Sequence, residues 1–130
     1  MFDLATRLGA ACFALTALAS PLAASTPTPV GDWELASGES RFQITTCGDN
    51  VLCAKLTWLR EDVKAHADLS SYLNDYVMQG AVPSGVNTWS GTVSYNGGTY
   101  SGNLTLVDAD TLRLSGCMGI FCKSMELERI

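Results

Sequence analysis

The sequence is poor in charged residues, and in basic residues above all. Lysine and arginine together number 8 among 130 residues, against 13 aspartates and glutamates, so the net charge is −5 at pH 7. A nucleic-acid-binding surface needs clustered basic side chains, and we therefore expect no nucleic-acid partner. No apolar run reaches the ~18 residues that a membrane-spanning helix requires, so we expect no membrane span. Hydrophobic residues make up 47% of the chain, which argues against intrinsic disorder.

Groups that carry catalysis are also scarce. His66 is the single histidine, and it lies in a polar stretch with Asp62 and Asp68 but without a nucleophile elbow. A solvated loop histidine is the simpler interpretation. The acids Asp108 and Asp110 occupy a predicted turn, where aspartate is common, and we find neither a Gly-rich phosphate loop nor a set of transition-metal ligands. The sequence therefore predicts no enzymatic activity, no cofactor and no metal site.

The first 24 residues have the pattern of a secretory signal peptide. Arg7 supplies a positive charge, residues 8–18 are apolar and rich in alanine and leucine, and small residues at 17–19 and at 23–25 both offer cleavage sites. Residues 25–29, with the sequence Ser-Thr-Pro-Thr-Pro, are predicted to form a stiff, disordered lead-in. The pattern predicts a protein that is periplasmic or secreted.

Removal of the signal peptide takes away Cys12 and leaves an even number of cysteines: Cys47, Cys53, Cys117 and Cys122. An even number in an exported domain indicates disulfide bonds. The spacing also permits a zinc site, although zinc ligands usually lie closer together and in reducing compartments.

Beyond residue 30, apolar and polar residues alternate nearly throughout, which indicates half-buried antiparallel strands. If Cys47 lies directly opposite Cys53, the flanking apolar residues meet on the inner face, with Phe42 opposite Trp58. A slip of one residue would destroy this sorting. The alternation therefore supports a Cys47–Cys53 disulfide in this register.

The other cysteine pair agrees with the alternation in the same way. Placing Cys117 opposite Cys122 brings apolar residues together inside and sets Arg113 across from Glu126 as an ion pair on the outer face. Each disulfide would close a short loop and stabilise the domain by roughly 2 kcal/mol. We therefore predict that both pairs are structural.

The remaining pattern predicts an all-β, up-and-down antiparallel barrel of about eight strands, with a two-sheet sandwich as the alternative. Residues 88–95 and 99–107 form a predicted hairpin joined at Asn96-Gly97-Gly98. A turn at Asn-Gly and a turn at Gly-Gly would place the same side chains inside, so the alternation does not choose between them. Only residues 60–75, between strands 3 and 4, break the alternation. Apolar side chains at helical spacing indicate one short helix or structured loop there.

Short motifs that occur in order along residues 30–130 resemble a known family. They are Gly31-x-Trp33, Trp89-Ser90-Gly91, Gly98-Thr99-Tyr100-Ser101-Gly102, Leu112-x-Leu114-x-Gly116-Cys117 and Cys122…Arg129. The set is similar to the bacterial exported family catalogued as domain of unknown function 2147. This resemblance implies a single lipocalin-like barrel domain over residues 30–130, in the bacterial envelope, and no established reaction. The chain departs from the family in its turns and in its closing segment, so a ligand bound through those loops would differ.

Trp33 and Arg129 are predicted to close one end of the barrel. Both point inward at the rim where strand 1 begins and strand 8 ends, so the guanidinium can lie over the indole face. Lipocalin-like barrels are closed by such a pair, which the resemblance therefore implies here. We expect a structural role for both residues.

The opposite rim is the place where a ligand would enter. An apolar eight-stranded barrel either fills with side chains or holds one small ligand. The alternation of strand direction brings Trp58, Tyr95, Tyr100 and Lys123 to this rim as candidate ligand contacts, with residues 60–75 as a lid. The leading hypothesis is a module that binds a lipid or other small hydrophobic ligand, and an amphiphile with an anionic head would suit Lys123. The alternative is a packed structural barrel that binds an envelope protein.

Overall fold

A computed structural model describes residues 26–95 and 97–130, without the side chains of residues 67, 68 and 95. The predicted signal peptide, residues 1–24, lies outside the described residues. Within the described part of the chain, no helix has the length and apolar character needed to cross a membrane.

Eight antiparallel strands form a closed barrel in which each strand pairs with its neighbours in sequence and the last pairs with the first. The strands are β1 (Gly31–Leu35), β2 (Ser40–Gly48), β3 (Val51–Leu59), β4 (Tyr76–Gly85), β5 (Thr88–Tyr95), β6 (Gly98–Asp108), β7 (Thr111–Met118) and β8 (Phe121–Arg129). Two single-turn helices, α1 (Glu61–Lys64) and α2 (Ala67–Ser70), lie between β3 and β4. The predicted barrel is confirmed, and the two-sheet sandwich is excluded.

The alternating strand direction gives the barrel two distinct rims. The β1–β2 turn, the segment 60–75 and the tips of the β5–β6 and β7–β8 hairpins lie at one end, which we call the top rim. The other turns, the start of β1 and the end of β8 lie at the opposite end, the bottom rim. The two disulfides therefore lie at opposite ends of the barrel.

The β7–β8 hairpin has the predicted register. Cys117 pairs with Cys122, and the two form a disulfide with an S–S distance of 2.05 Å. On the outer face, Arg113 pairs with Glu126 and the two side chains form a salt bridge of 3.2 Å. This hairpin lacks bulges, so the alternation of inward and outward residues and the cysteine spacing were sufficient to predict its register.

The β5–β6 hairpin resolves the choice between its two turns. Tyr95 pairs with Gly98, and Gly97 between them has a φ of +78°. A two-residue turn of this kind needs positive φ values, which asparagine and glycine adopt most readily. The Asn-Gly register is therefore the one adopted.

The β2–β3 register differs from the predicted one by two residues. Cys53 pairs with Thr45 instead of Cys47, because the pairing is irregular between Thr46 and Gly48. Cys47 lies within this irregularity and still forms the disulfide with Cys53, with their Cα atoms 5.8 Å apart. A shift of two residues leaves every side chain on the same face, so the alternation of the sequence could not reveal it.

A second irregularity, between Arg41 and Phe42, turns Trp58 outward. Arg41 pairs with Trp58, whereas Phe42 pairs with Leu56. The Trp58 side chain is 37% exposed, and the Arg41 guanidinium lies 4.4 Å from the centre of its ring. Leu59 is buried next to it. The prediction that Trp58 faces the interior is therefore wrong, because a bulge reverses the alternation at the end of β3.

Candidate functional site

The bottom rim is closed by Trp33 and Arg129. The Trp33 side chain is completely buried, and its indole Nε1 donates a hydrogen bond of 2.9 Å to the carbonyl of Pro29. Trp33 and Arg129 are paired residues on β1 and β8, and the guanidinium lies 4.3 Å from the centre of the indole ring. The stacking of the guanidinium on the indole ring, which the inward orientation of both residues predicted, is present.

Arg129 also binds the residues before β1 and the β6–β7 turn at this rim. Its Nε donates to the carbonyl of Ala109 at 2.9 Å, Nη1 to that of Val30 at 3.0 Å, and Nη2 to that of Thr28 at 2.6 Å. Because these donors are used by backbone carbonyls, the guanidinium holds the structure together at this end. The expected disorder of residues 25–29 does not hold for Thr28 and Pro29, whose carbonyls accept these hydrogen bonds.

Apolar side chains fill the barrel directly above this closure. The residues at the bottom ends of the strands supply them, and these are buried: Leu52, Trp89, Leu106 and Leu112. These side chains pack the bottom half of the barrel, and the open space among the described residues lies above them.

The upper half contains a cavity of about 300 Å³. Its wall is predominantly apolar and includes Phe42, Ile44, Met78, Val93, Leu114 and Met125. Glu39, Tyr100 and Lys123 are its polar lining residues, and they come from positions at the top ends of the strands. The cavity is therefore apolar at depth and polar at its mouth, which is the arrangement of sites that bind amphiphilic small molecules.

Two of the lining positions on the strands carry small residues. Ala54 lies in the middle of β3 and Gly116 near the top of β7, and both line the cavity. Gly116 pairs with Lys123 on β8, so the lysine stem has no bulky neighbour at its partner position. A small residue at an inward strand position is the one sequence feature that points to space here, but the side chains of other strands decide whether that space is filled.

Segment 60–75 covers part of the mouth. Leu69 of α2 lines the cavity, and Val63 of α1 is buried in the core. The segment rejoins the barrel where Leu56 exchanges two backbone hydrogen bonds, donating to Asp75 at 3.0 Å and accepting from Asn74 at 2.7 Å. The segment thus packs over the cavity.

An exposed ion pair holds the start of this segment. Arg60 Nε and Nη2 donate to the two carboxylate oxygens of Asp62 at 2.5 and 2.9 Å. The hydrogen bond from Arg60 lowers the pKa of Asp62, and the same bond raises the pKa of Arg60. This bidentate pair fixes the first turn of α1 at the top rim.

The structure separates the predicted ligand contacts from one another. Tyr100 and Lys123 line the cavity, whereas Trp58 lies on the outer surface of the barrel. The side chain of Tyr95 lies outside the described part of the structure. Sequence reasoning missed Glu39, which lies in a turn where the strand alternation does not apply.

Met78 was missed for a different reason. A glycine with positive φ, Gly80, interrupts β4, and the neighbouring residues Val77 and Met78 are both buried. Both also line the cavity. A bulged strand of this kind does not show the simple period of two on which the sequence reasoning relied.

His66, the histidine considered in the sequence as a catalytic group, is not among the residues that line the cavity. His66 is exposed on the segment between the two helices. Within the described residues, no three histidine, cysteine or acidic side chains are grouped as metal ligands. All four cysteines of the barrel are in disulfides, so the zinc interpretation of their spacing does not apply.

Comparisons with known proteins agree with this architecture. A family model described as an uncharacterised protein conserved in bacteria, DUF2147, matches residues 31–129. A redesigned β-barrel of solved structure matches with a TM-score of 0.51 and 15% sequence identity, covering 78% of this chain and 90% of its own. At that identity, the likeness concerns the fold alone. A search among curated proteins finds no match.

Proposed function

The chain belongs to the bacterial family DUF2147, and we propose that it is an exported, non-enzymatic module that binds a small amphiphile with an apolar tail and one anionic group. The observation that carries this proposal is the cavity in the upper half of the barrel, which is apolar at depth and has a lysine at its mouth. The closed bottom rim supports the same proposal, because the polar lining residues Tyr100 and Lys123 lie at the opposite end of the cavity, near the top rim.

The size of the cavity limits the ligand. A volume of about 300 Å³ is at the lower end of the range for small-molecule sites. One water molecule in the liquid occupies about 30 Å³, and a methylene group is of similar size, so the cavity has room for about ten such groups. A medium-length acyl chain fits this volume better than a long-chain lipid.

The charges at the mouth favour a single negative group. Lys123 lines the cavity and forms no ion pair with the described residues. Its stem can follow the apolar wall while the ammonium stays in water, and the hydroxyl of Tyr100 offers a further hydrogen bond. Glu39 lies on the same mouth and disfavours a second negative charge. A monocarboxylate with an alkyl tail satisfies these conditions.

The compartment follows from the disulfides. Two disulfides in a bacterial protein indicate an oxidising, non-cytoplasmic location. Together with the signal-peptide pattern of the first 24 residues, this supports a periplasmic or secreted protein. Such a module would hold an amphiphile in the aqueous part of the cell envelope.

Calorimetric titration with decanoate tests the proposal. We expect saturable binding to the wild-type protein and binding about tenfold weaker for Lys123→Glu, since a tenfold change corresponds to about 1.4 kcal/mol, the scale of one charge-assisted hydrogen bond. Lys64→Glu is the matched control, because Lys64 is exposed on α1 and changes the net charge equally without lining the cavity. It should bind as the wild type does.

Two results would contradict the proposal. One is the absence of saturable binding by the wild type to decanoate and to its shorter and longer homologues. The other is an equal loss of affinity in the two lysine variants, which would reduce the effect to overall charge. Either result favours the alternative of a structural barrel that acts through a protein partner.

A further inference from the structure

The tip of the β7–β8 hairpin is an exposed apolar projection at the top rim. It consists of Met118, Gly119, Ile120 and Phe121, which we call the apolar tip. Ile120 is 90% exposed, Phe121 76% and Met118 44%. Burying a side chain of this size is worth far more than most surface contacts, so three exposed apolar side chains on one turn mark an interaction site.

The apolar tip is held in place by its surroundings. The Cys117–Cys122 disulfide joins the two strands directly below it, and Met118 pairs with Phe121 across the hairpin. Gly119 has a φ of +63°, which a tight turn requires. The exposure of Ile120 and Phe121 is therefore a consequence of the hairpin geometry.

The apolar tip adjoins the mouth of the cavity. Met118 packs against the β5–β6 hairpin so closely that a β-carbon on Gly98 would lie 2.9 Å from its terminal methyl group. Two residues along β6, Tyr100 lines the cavity, and Lys123, two residues beyond Phe121, lines it as well. A surface that receives the tip would thus also face the cavity entrance.

The charge distribution indicates what that surface is. Residues 76–107, which form β4, β5 and most of β6, contain no charged side chain, and residues 111–125 contain no acidic one. Lys123 is the charged residue nearest to the tip along its own hairpin. The acids of the top rim lie elsewhere in the chain, in the segment 60–75 and at Glu39 in the β1–β2 turn, which lies across the cavity mouth. Although the chain has a net charge of −5, the tip lies in a stretch of sequence without acidic residues.

We propose that the apolar tip docks the barrel onto a lipid bilayer, with Ile120 and Phe121 in the interfacial region and Lys123 at the phosphate headgroups. Interfacial membrane anchors combine apolar side chains with neighbouring basic residues, and the tip with Lys123 has both. Anionic headgroups attract the lysine. Docking in this way turns the cavity mouth toward the bilayer. Docking depends on the outer surface of the hairpin and does not require a ligand in the cavity.

Vesicle co-sedimentation of the oxidised protein tests the docking. The vesicles contain phosphatidylcholine and phosphatidylglycerol, and the variant is Ile120→Ser with Phe121→Ser. The matched control is Val86→Ser, because Val86 is equally exposed, at 90%, but lies at the bottom rim. We expect partition to fall at least about tenfold in the tip variant, on the scale of one lost apolar side chain, and to stay at the wild-type level in the control.

A second variant tests the docking even if the double serine variant does not fold. Phe121→Trp retains an apolar side chain, and its added emission should shift to the blue on addition of the same vesicles, whereas Val86→Trp should show no such change. The docking is refuted if the wild type does not sediment with the vesicles, or if the tip and control variants lose partition equally. It is also refuted if the wild type is a dimer that the tip variant converts to a monomer, because the tip would then contact a second copy of the chain.

Discussion

Substitution of Ala54 by leucine measures whether the upper half of the barrel is empty. Ala54 lines the cavity from the middle of β3 and is buried. Leucine adds three carbon atoms, each worth about 0.8 kcal/mol when it is removed from water. Fixing the leucine rotamer costs about 0.5–1 kcal/mol, and the cavity retains some water at its mouth. We therefore expect Ala54→Leu to stabilise the fold by about 0.5–1.5 kcal/mol.

Ala81→Leu is the matched control for this experiment. Ala81 is completely buried on β4 but does not line the cavity. A β-carbon added to Gly91 on the neighbouring strand would lie 3.0 Å from the Ala81 Cα and 3.1 Å from its Cβ, so this site is already crowded. The same three carbon atoms should here destabilise the fold by about 1–3 kcal/mol, as overpacking does.

Urea unfolding followed by tryptophan fluorescence separates these outcomes. A change in midpoint at constant m-value reports a change in stability, so the two variants should move the midpoint in opposite directions. Ala54→Leu should also abolish the binding of decanoate, because its side chain occupies the space proposed for the tail. A destabilisation of Ala54→Leu as large as that of Ala81→Leu would refute the cavity.

Two further predictions concern the ends of the barrel. Trp33→Ala should destabilise the fold by about 3–5 kcal/mol, and Arg129→Ala should also lower the urea midpoint, because both form the closure of the bottom rim; wild-type midpoints would show that the closure is dispensable. At the top rim, the hydrogen bond from Arg60 lowers the pKa of Asp62. The pair therefore stabilises the folded state at pH values above the pKa that Asp62 has in the unfolded chain. This stabilisation is lost as the pH falls through the lower pKa that Asp62 has in the folded protein. Because both side chains are exposed to solvent, Asp62→Asn should leave the midpoint at pH 7 nearly unchanged, and any small difference from the wild type should vanish in acid. A large loss at pH 7 would assign the pair a greater part in holding the segment 60–75.

The β7–β8 hairpin shows how far the sequence alone could define local structure. Its alternation, its cysteine spacing and the Arg113–Glu126 pair all indicated one register, and that register is present. Regular strands follow a period of two, so each residue contributes independent information about the same alignment. The same regularity, repeated in successive strands with short connections, was sufficient to predict the closed barrel.

The β2–β3 hairpin shows where that information ends. The central pairs of this hairpin lie two residues away from the predicted register, and a separate bulge between Arg41 and Phe42 turns Trp58 to the surface. The alternation of its sequence is nevertheless as clear as that of β7–β8. Bulges arise from the fit of one strand to its neighbours around a closed barrel. A shift of two residues leaves each side chain on the same face of the sheet. The pattern within a single strand therefore carries no record of them.

The cavity marks the same division at the scale of the whole domain. The sequence determined that the interior is apolar, that the chain closes into a barrel and that Lys123 faces inward near the top rim. Whether the side chains from eight strands fill the interior depends on how they meet across it. This was decided only in the tertiary structure, where a cavity lined by Ala54 lies above a packed bottom half. Packing density is a property of contacts between distant parts of the chain, and no local pattern encodes it.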